Sequence, residues 1–358
     1  MIGKSALSEP LRYAEAALPP LAALALSAVV FGAIVLALGD DPLEVYQSIY
    51  IGGFGSWFSW QNTLQRVAPL LLTALCAAAP AQLGLAVIGG EGAFVLGGLA
   101  GVEASLTAAR LPAPLDIASL LAAGMATGAL VVGAAGFLRA WRGVNETISS
   151  LLINYIAIAV FNQLVEGPLR DPSDLNRAST YPVPEQATIG MIGDTSVHWG
   201  LIVGLVACAL AWFVIFRTTT GFAMRVAGGN AQTARMVGIP VGRLIVAACA
   251  VGGAAAGLAG SLEAAAVNER ANNSLIAGYG FSGILISFIA RHNPLLIVPA
   301  AILFGGIGAS GGLIQRRLGL PDAAVTVLQG CTFVIVLMGE TFRGRSLRDF
   351  FPRPERSR

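Results

Sequence analysis

The feature that most constrains this chain is the recurrence of apolar runs about 20 residues long. A helix of that length covers a hydrocarbon core of roughly 30 Å, and the runs lack the alternation that barrel strands would need. Hydropathy places ten of them, at about 18–38, 65–86, 91–109, 114–138, 146–165, 198–216, 244–266, 279–291, 294–314 and 323–341. The chain is 55% hydrophobic and only 12% charged, where soluble domains carry about 25% charged residues. The expected fold is therefore all-α, a polytopic membrane helix bundle, with residues 1–358 forming one transmembrane domain. The lead before the first run has no convincing cleavage site, so that run reads as a retained helix rather than a signal peptide.

Orientation follows the distribution of positive charge among short loops. The tail 342–358 carries Arg343, Arg345, Arg348, Arg353, Arg356 and Arg358 against Asp349 and Glu355, which puts it in the cytoplasm. An even number of spans brings the 1–17 lead to the same side. The segment 166–197 then faces outward, rich in acids and prolines: Glu166, Asp171, Asp174, Glu185 and Asp194, with Pro168, Pro172, Pro182 and Pro184. The stretch after the first span, with Asp40, Asp41 and Glu44, reads as a second outer loop. Arg316 and Arg317 land outside and oppose the rule, which makes 279–320 the least regular part of the threading.

Small residues dominate the spans. Gly97 and Gly101, Gly124 and Gly128, and Gly253 and Gly257 each form a GxxxG pair, a spacing that lets helix backbones approach where lipid supplies no hydrophobic drive. Two Gly-rich breaks echo each other, "IGGEGAF" at 88–94 and "AGYGFSG" at 277–283. One precedes the third span and the other the eighth, so spans two to five and seven to ten could be inverted repeats. Transporters place their pathway between such halves, near broken helices.

The chemistry the residues exclude is as useful. Cys76, Cys208, Cys249 and Cys331 all fall in apolar spans without a CxxC, as packing residues rather than a disulfide or metal framework. His198 and His292 are far apart, and no metal or other cofactor is expected. There is no HExxH and no GxSxG elbow, and the only lysine is Lys4, so the chain has no P-loop. An enzyme is not expected. Glu91 stands out, because a carboxylate beside a span is expensive unless hydrated or hydrogen-bonded. Amides freed by Gly89, Gly90 and Gly92 could bind it and tie the broken helix; the other use is direct solute contact. Glu103 and Glu263 lie nearer span ends and are expected to face water. In span five Asn145 can cap the helix and Glu146 suits its positive end, while Thr147, Ser150 and Asn154 form a polar stripe. That stripe either lines an aqueous path or bonds a neighbouring helix. Phe281 either packs or stacks on a planar ligand.

The segment "RTTTGFAMRVAGGNAQTARMVGIPVGR", 217–243, carries Arg217, Arg225, Arg235 and Arg243 and no acid. Within it, Asn230 is a good N-cap, Gly238 can adopt the left-handed conformation, and Pro240 stops the helix. The pattern predicts a two-turn helix outside the bilayer, with Ala231, Ala234 and Val237 as a smooth face and Arg235 turned elsewhere. Such a helix suits docking on another protein. A basic loop resting on anionic membrane lipid, satisfied by Arg217 and Arg225, is the other reading.

Three stretches carry a resemblance: "GFAMRVAGGNAQTARMVGI", "GVNETISSLLINYIA" and "APLLLTALCAAAPAQLGLAVIGGEGAFVLGG". From about Arg66 to Gly339 the chain resembles the permease subunits of bacterial ABC importers for nucleosides and simple sugars, within the group that includes ribose and branched-chain amino acid permeases. The outer loop "EGPLRDPSD", then a span and "RTTTGF", looks most like the larger of two nucleoside-type permeases that pair in one complex. The resemblance implies that Arg225, Gly228, Gly229, Asn230, Thr233, Arg235 and Gly238 belong to the element seated on a separate ABC ATPase subunit. It further implies a paralogous permease as partner in a heterodimer and an extracytoplasmic substrate-binding protein; nothing points to nucleic acid. Glu91, Thr147, Ser150, Asn154 and Phe281 are the candidates for the pathway. Family members often carry an Asn and a Gln where this chain has Val87 and Ala93, so polar roles at those two positions do not carry over.

Two rivals to the importer stay open at this stage. A proton-coupled secondary transporter would use Glu91 as its relay, and a membrane scaffold would transport nothing. Branched-chain amino acids are the alternative solute class.

Overall fold

The computed structural model describes residues 9–109, 112–174, 177–321 and 323–342. The lead before residue 9 and most of the basic tail lie outside them. The chain is an all-α bundle. Its helices are α1 (Glu9–Leu38), α2 (Pro42–Phe54), α3 (Trp57–Ala81), α4 (Gly90–Ala108), α5 (Ala113–Arg142), α6 (Glu146–Glu166) and α7 (Gly200–Arg217). After them come α8 (Thr219–Gly229), α9 (Ala231–Met236), α10 (Val241–Glu263), α11 (Tyr279–Ile289), α12 (Pro294–Ala309), α13 (Gly311–Leu318) and α14 (Ala323–Phe342).

Every apolar run falls on a helix, but length and hydropathy alone qualify fewer than ten as crossings. Among the described residues six helical stretches are long and apolar enough, or seven if α1 and α2, bent by 119°, count as one. Helix α11 accounts for part of the shortfall: its 11 residues reach only about 16 Å at 1.5 Å per residue. The expected loop after the first span is in fact mostly α2. Asp41 accepts from the Leu43 amide at 2.9 Å and Pro42 occupies the first turn, so the acids of this stretch start a helix instead of decorating a loop. The ninth run is likewise two helices: α12 ends at Ser310, and Arg316 and Arg317 sit exposed on α13 while its Ile314 is buried.

The centre of the bundle is a glycine crossing. Methyl groups at Gly97, Gly124, Gly128 or Gly253 would collide with backbone atoms of the facing helix, and all three GxxxG pairs meet there, α4 and α5 against α10. No side chain separates these backbones, the close packing that the spacing predicts. Around the crossing Phe94, Leu99, Val102, Leu120, Phe161 and Leu275 form one buried cluster, and Leu71, Ile286, Ile297 and Phe304 belong to a second around α3. Cys76, Cys208 and Cys249 are buried as free thiols among such residues, and Cys331 is half-buried.

Helix α6 runs from the turn at Gly143 to the segment 167–199, and α7 returns from there to α8 and α9. The segments 167–199 and 218–240 therefore cap opposite ends of the bundle.

Candidate functional site

The chain leaves α3 at Ala81 and travels without helix through 85–89 before α4 starts. Backbone polar groups inside a bundle need partners, and the polar stripe of α6 supplies them. Thr147 donates its hydroxyl to the Ala86 carbonyl at 2.8 Å, Ser150 Oγ accepts from the Ile88 amide at 2.9 Å, and Asn154 Oδ1 accepts from the Gly92 amide at 2.6 Å. Asn145 caps α6 itself, accepting from Thr147 and Ile148 at 3.0 and 3.1 Å. Thr147 also borders a cavity at this end of the bundle.

Glu91 lies one residue into α4 and is 1% exposed. Its carboxylate does not bond the amides of its own break. It accepts from Gly278 at 2.7 Å and Gly280 at 2.6 Å, the first amides of α11, 187 and 189 residues away. The two breaks that echo each other in sequence thus meet in space. The anion sits on the positive N-terminal end of a helix, and charge-assisted hydrogen bonds of this kind are the strong ones. The contact demands glycine. Gly278 has φ +79°, and a methyl on Gly280 would overlap the backbone of Gly90 and Glu91. The junction lies beside Cys76, five residues before α3 ends, or roughly 8 Å of helix inward.

Each break is tied to a different end of the bundle. Segment 269–278 leads into the second, and the loop from the far end pairs with it: the Thr180 amide donates to the Ala271 carbonyl at 2.9 Å, the Val183 amide to Glu269 at 2.8 Å, and Arg270 bonds Asp174 at 3.1 Å. Asp171 in this loop is held below the usual carboxylate range by the hydroxyl and amide of Ser173 and, behind them, by Arg270. The first break touches α8. Gly228 rests so close to Gln82 and Leu83 that a methyl there would strike the Gln82 carbonyl oxygen. Gln82 also donates to the His292 carbonyl at 2.9 Å, linking this end to the turn after α11.

The loop residues fall as the pattern predicts, with one change. Asn230 caps α9, accepting from Gln232 and Thr233 at 3.0 Å each, and Gly238 has φ +85°. The smooth face, however, is divided. Ala234 is buried against the chain's own Leu83 and Leu85 cluster, while Ala231 is exposed and Val237 is 68% exposed beside Met236 at 74%. The division arises because α8, which the sequence pattern does not reveal, precedes α9 and turns it onto the bundle. Arg225 donates to the Ile215 carbonyl and lies over Phe216, which staples α8 to α7, while Arg217 lies over Trp212 within α7 itself. Gly229, Thr233, Arg235 and Arg243 are exposed.

Two acids and one aromatic complete the comparison. Glu103 is half-buried. Glu263 does not face water: it is 7% exposed, because a π-turn, Ala264–Asn268, continues α10 past it and covers it. Phe281 is 41% exposed on α11, one residue past the Glu91 contact. Val87 and Ala93 are buried among apolar side chains.

A helical membrane bundle in which two interrupted helices meet tip to flank through a buried carboxylate has the build of a transporter. The chain belongs to the family described as the branched-chain amino acid transport system, permease component, whose family model matches residues 59–337. It is similar to the glucose ABC transporter permease protein TsgB13 of Haloferax volcanii, 30% identical over 93% of this chain and 89% of that protein. It is also similar to two guanosine ABC transporter permease proteins of Bacillus subtilis. NupP is 29% identical over 91% of this chain and 94% of that one, and NupQ 26% over 79% and 91%. The chain is a permease subunit of an ABC importer, a multi-pass membrane protein whose ATP hydrolysis resides in a separate subunit.

Proposed function

We propose that this chain is the larger permease of a heterodimeric importer for a nucleoside or simple sugar, with the α8–α9 loop and both termini in the cytoplasm. The observation that carries the reading is the continuous contact from Gly228 to Gln82, through the break to Glu91, and on to Gly278 and Gly280. A displacement of α8 by a motor bound at Arg235, Met236 and Val237 would move the first break, and Glu91 would pass that shift to the start of α11. A binding protein would act on the loop 167–199, which is bonded to the approach to the second break. Each break would thus answer to one partner, the coupling that alternating access needs.

The solute class follows the names of similar proteins, which mention glucose and guanosine. That both NupP and NupQ of one organism resemble this chain supports a paralogous second permease. Glu91, Thr147, Ser150 and Asn154 act in this reading by holding the breaks, with Thr147 also at the pathway wall. The test is uptake of radiolabelled guanosine and glucose by proteoliposomes holding this permease, the ATPase and second permease from neighbouring genes, and the binding protein. Uptake should need ATP and ignore an uncoupler. Uptake that collapses with the uncoupler, persists without the ATPase and fails in Glu91→Gln would instead establish the proton-coupled carrier.

A further inference from the structure

Helix α11 is held at three places along its 11 residues. At its start the Gly278 and Gly280 amides rest on Glu91. One turn later Gly283 lies against α3, where an added methyl would come within 2.6 Å of the Thr73 carbonyl carbon. Glycine permits the close approach, and a single such point fixes where two helices touch while leaving the angle between them free, unlike the row of glycines that joins α4 and α5 to α10. The third place is the end. Helix α11 stops at Ile289, and Asn293 already caps α12, accepting from the Leu295 amide at 3.1 Å. So short a reversal puts Arg291 at φ +52° and His292 at φ +57°. Helices commonly end on one left-handed residue, usually glycine; two in succession with side chains are a strained backbone. Their amides bond back to the Phe288 and Ser287 carbonyls at 2.9 and 2.7 Å, and the His292 ring bonds the Ser287 hydroxyl at 2.9 Å.

Gln82, the residue on which α3 ends, ties this turn to α8. Its side-chain amide donates to the His292 carbonyl at 2.9 Å and to the Ala78 carbonyl at 3.3 Å, while its own backbone carbonyl oxygen is the atom a methyl on Gly228 would strike. The residue thus meets α8 with its main chain and the end of α11 with its side chain. A cavity of about 390 Å³ is walled by Phe288 and His292 together with residues 84–88 of the first break. Packed interiors yield little, so this space is where the end of α11 can travel. We propose that Gln82 is a positioning residue of the transport cycle, a strut that drives α11 as a lever with Gly283 as its pivot and Arg291–His292 as its strained hinge. A shift of α8 then reaches α11 twice, through Gln82 at its end and through Glu91 at its start, and the pivot turns the two inputs into a change of angle. The strain at the hinge raises the resting state and so lowers the cost of leaving it. The assignment rests on the reading of α8–α9 as the ATPase-driven element.

The experiment uses the assembled importer in proteoliposomes. Gln82→Met keeps the length of the side chain and the backbone contact with Gly228 but loses the amide. ATPase association and hydrolysis should stay at the parent's level, while uptake falls about 5-fold or more, the lower end of ordinary coupling between sites. Spin labels at Phe281 on α11 and Val251 on α10, both exposed, should change their distance with ATP in the parent and hold it in Gln82→Met. Ala86→Phe, at an exposed position of the cavity wall, fills the travel space with Gln82 intact and should arrest the same change; it decides the matter if Gln82→Met fails to assemble. The hinge is read separately. Arg291→Gly and Arg291→Ala lose the same guanidinium, and at a positive φ the glycine variant should melt higher, the reverse of the order in a helix. Parent-like uptake in Gln82→Met, an α11 that still shifts in Ala86→Phe, or an alanine variant that melts higher would overturn the lever. Failure of the unaltered complex to couple ATP to uptake would strike the reading of α8–α9 instead.

Discussion

Glu91 accepts hydrogen bonds from two amides at the start of α11, where a helix supplies no acceptor of its own. Removing a partner from a buried donor costs about 1–3 kcal/mol per group, so Glu91→Ala should lower the thermal midpoint of the detergent-purified chain well below that of Glu91→Gln, which keeps one neutral acceptor. Equal midpoints for the two variants would contradict the bridging role. Asp171 allows a pH test outside the membrane. Its folded-state pKa is depressed by Ser173 and Arg270, so its stabilisation is complete above the unfolded value of about 3.9 and is lost as the pH falls below it. Hydrogen exchange in the loop 167–199 should accelerate over that acidic window in the parent chain and show no corresponding step in Asp171→Asn.

At the level of elements, α8 and α9 separate two functions. Asn230→Ala removes a cap worth about 1 kcal/mol and should loosen α9, weakening ATPase association in a pull-down while leaving the bundle folded. Arg235→Glu should weaken the same association without loosening the helix. Gly228→Ala acts differently, because its methyl meets Gln82 within the chain: the ATPase should still bind, but hydrolysis should run without uptake. The cap at Asn230, the left-handed Gly238 and the crossing glycines are legible in sequence because each is a local spacing rule. Helix α8 is not, since its apolar side, with Gly221, Met224 and Ala227 buried, is interrupted by Arg225 and reads as a basic loop. Helix α2 is hidden for a related reason: Asp41 as cap looks like any acid of an outer loop. The partner of Glu91 lies 187 residues away, and no local pattern encodes so distant a meeting; only the echo of the two Gly-rich breaks hinted that they belonged together.

For the molecule as a whole, the expected complex has four kinds of subunit: this permease, a paralogue, the ATPase and the binding protein. Co-purification of the products of neighbouring genes should return this chain with a second permease in equal amount, measured by quantitative mass spectrometry. Recovery of this chain paired only with itself would refute the heterodimer. The crossing of α4, α5 and α10 bears on how such a machine moves. Backbones in direct contact have no side chains to slide over or re-pack, so the crossing stretches of these three helices should act as a stator, with the travel of the cycle falling to the segments hung on it, the first turn of α4 with Glu91 among them. Spin labels at Thr107 and Val251 should therefore hold one distance with and without ATP, while a label on α11 shifts against both. The glycines that look like the softest residues of the sequence would then be its most rigid mounting.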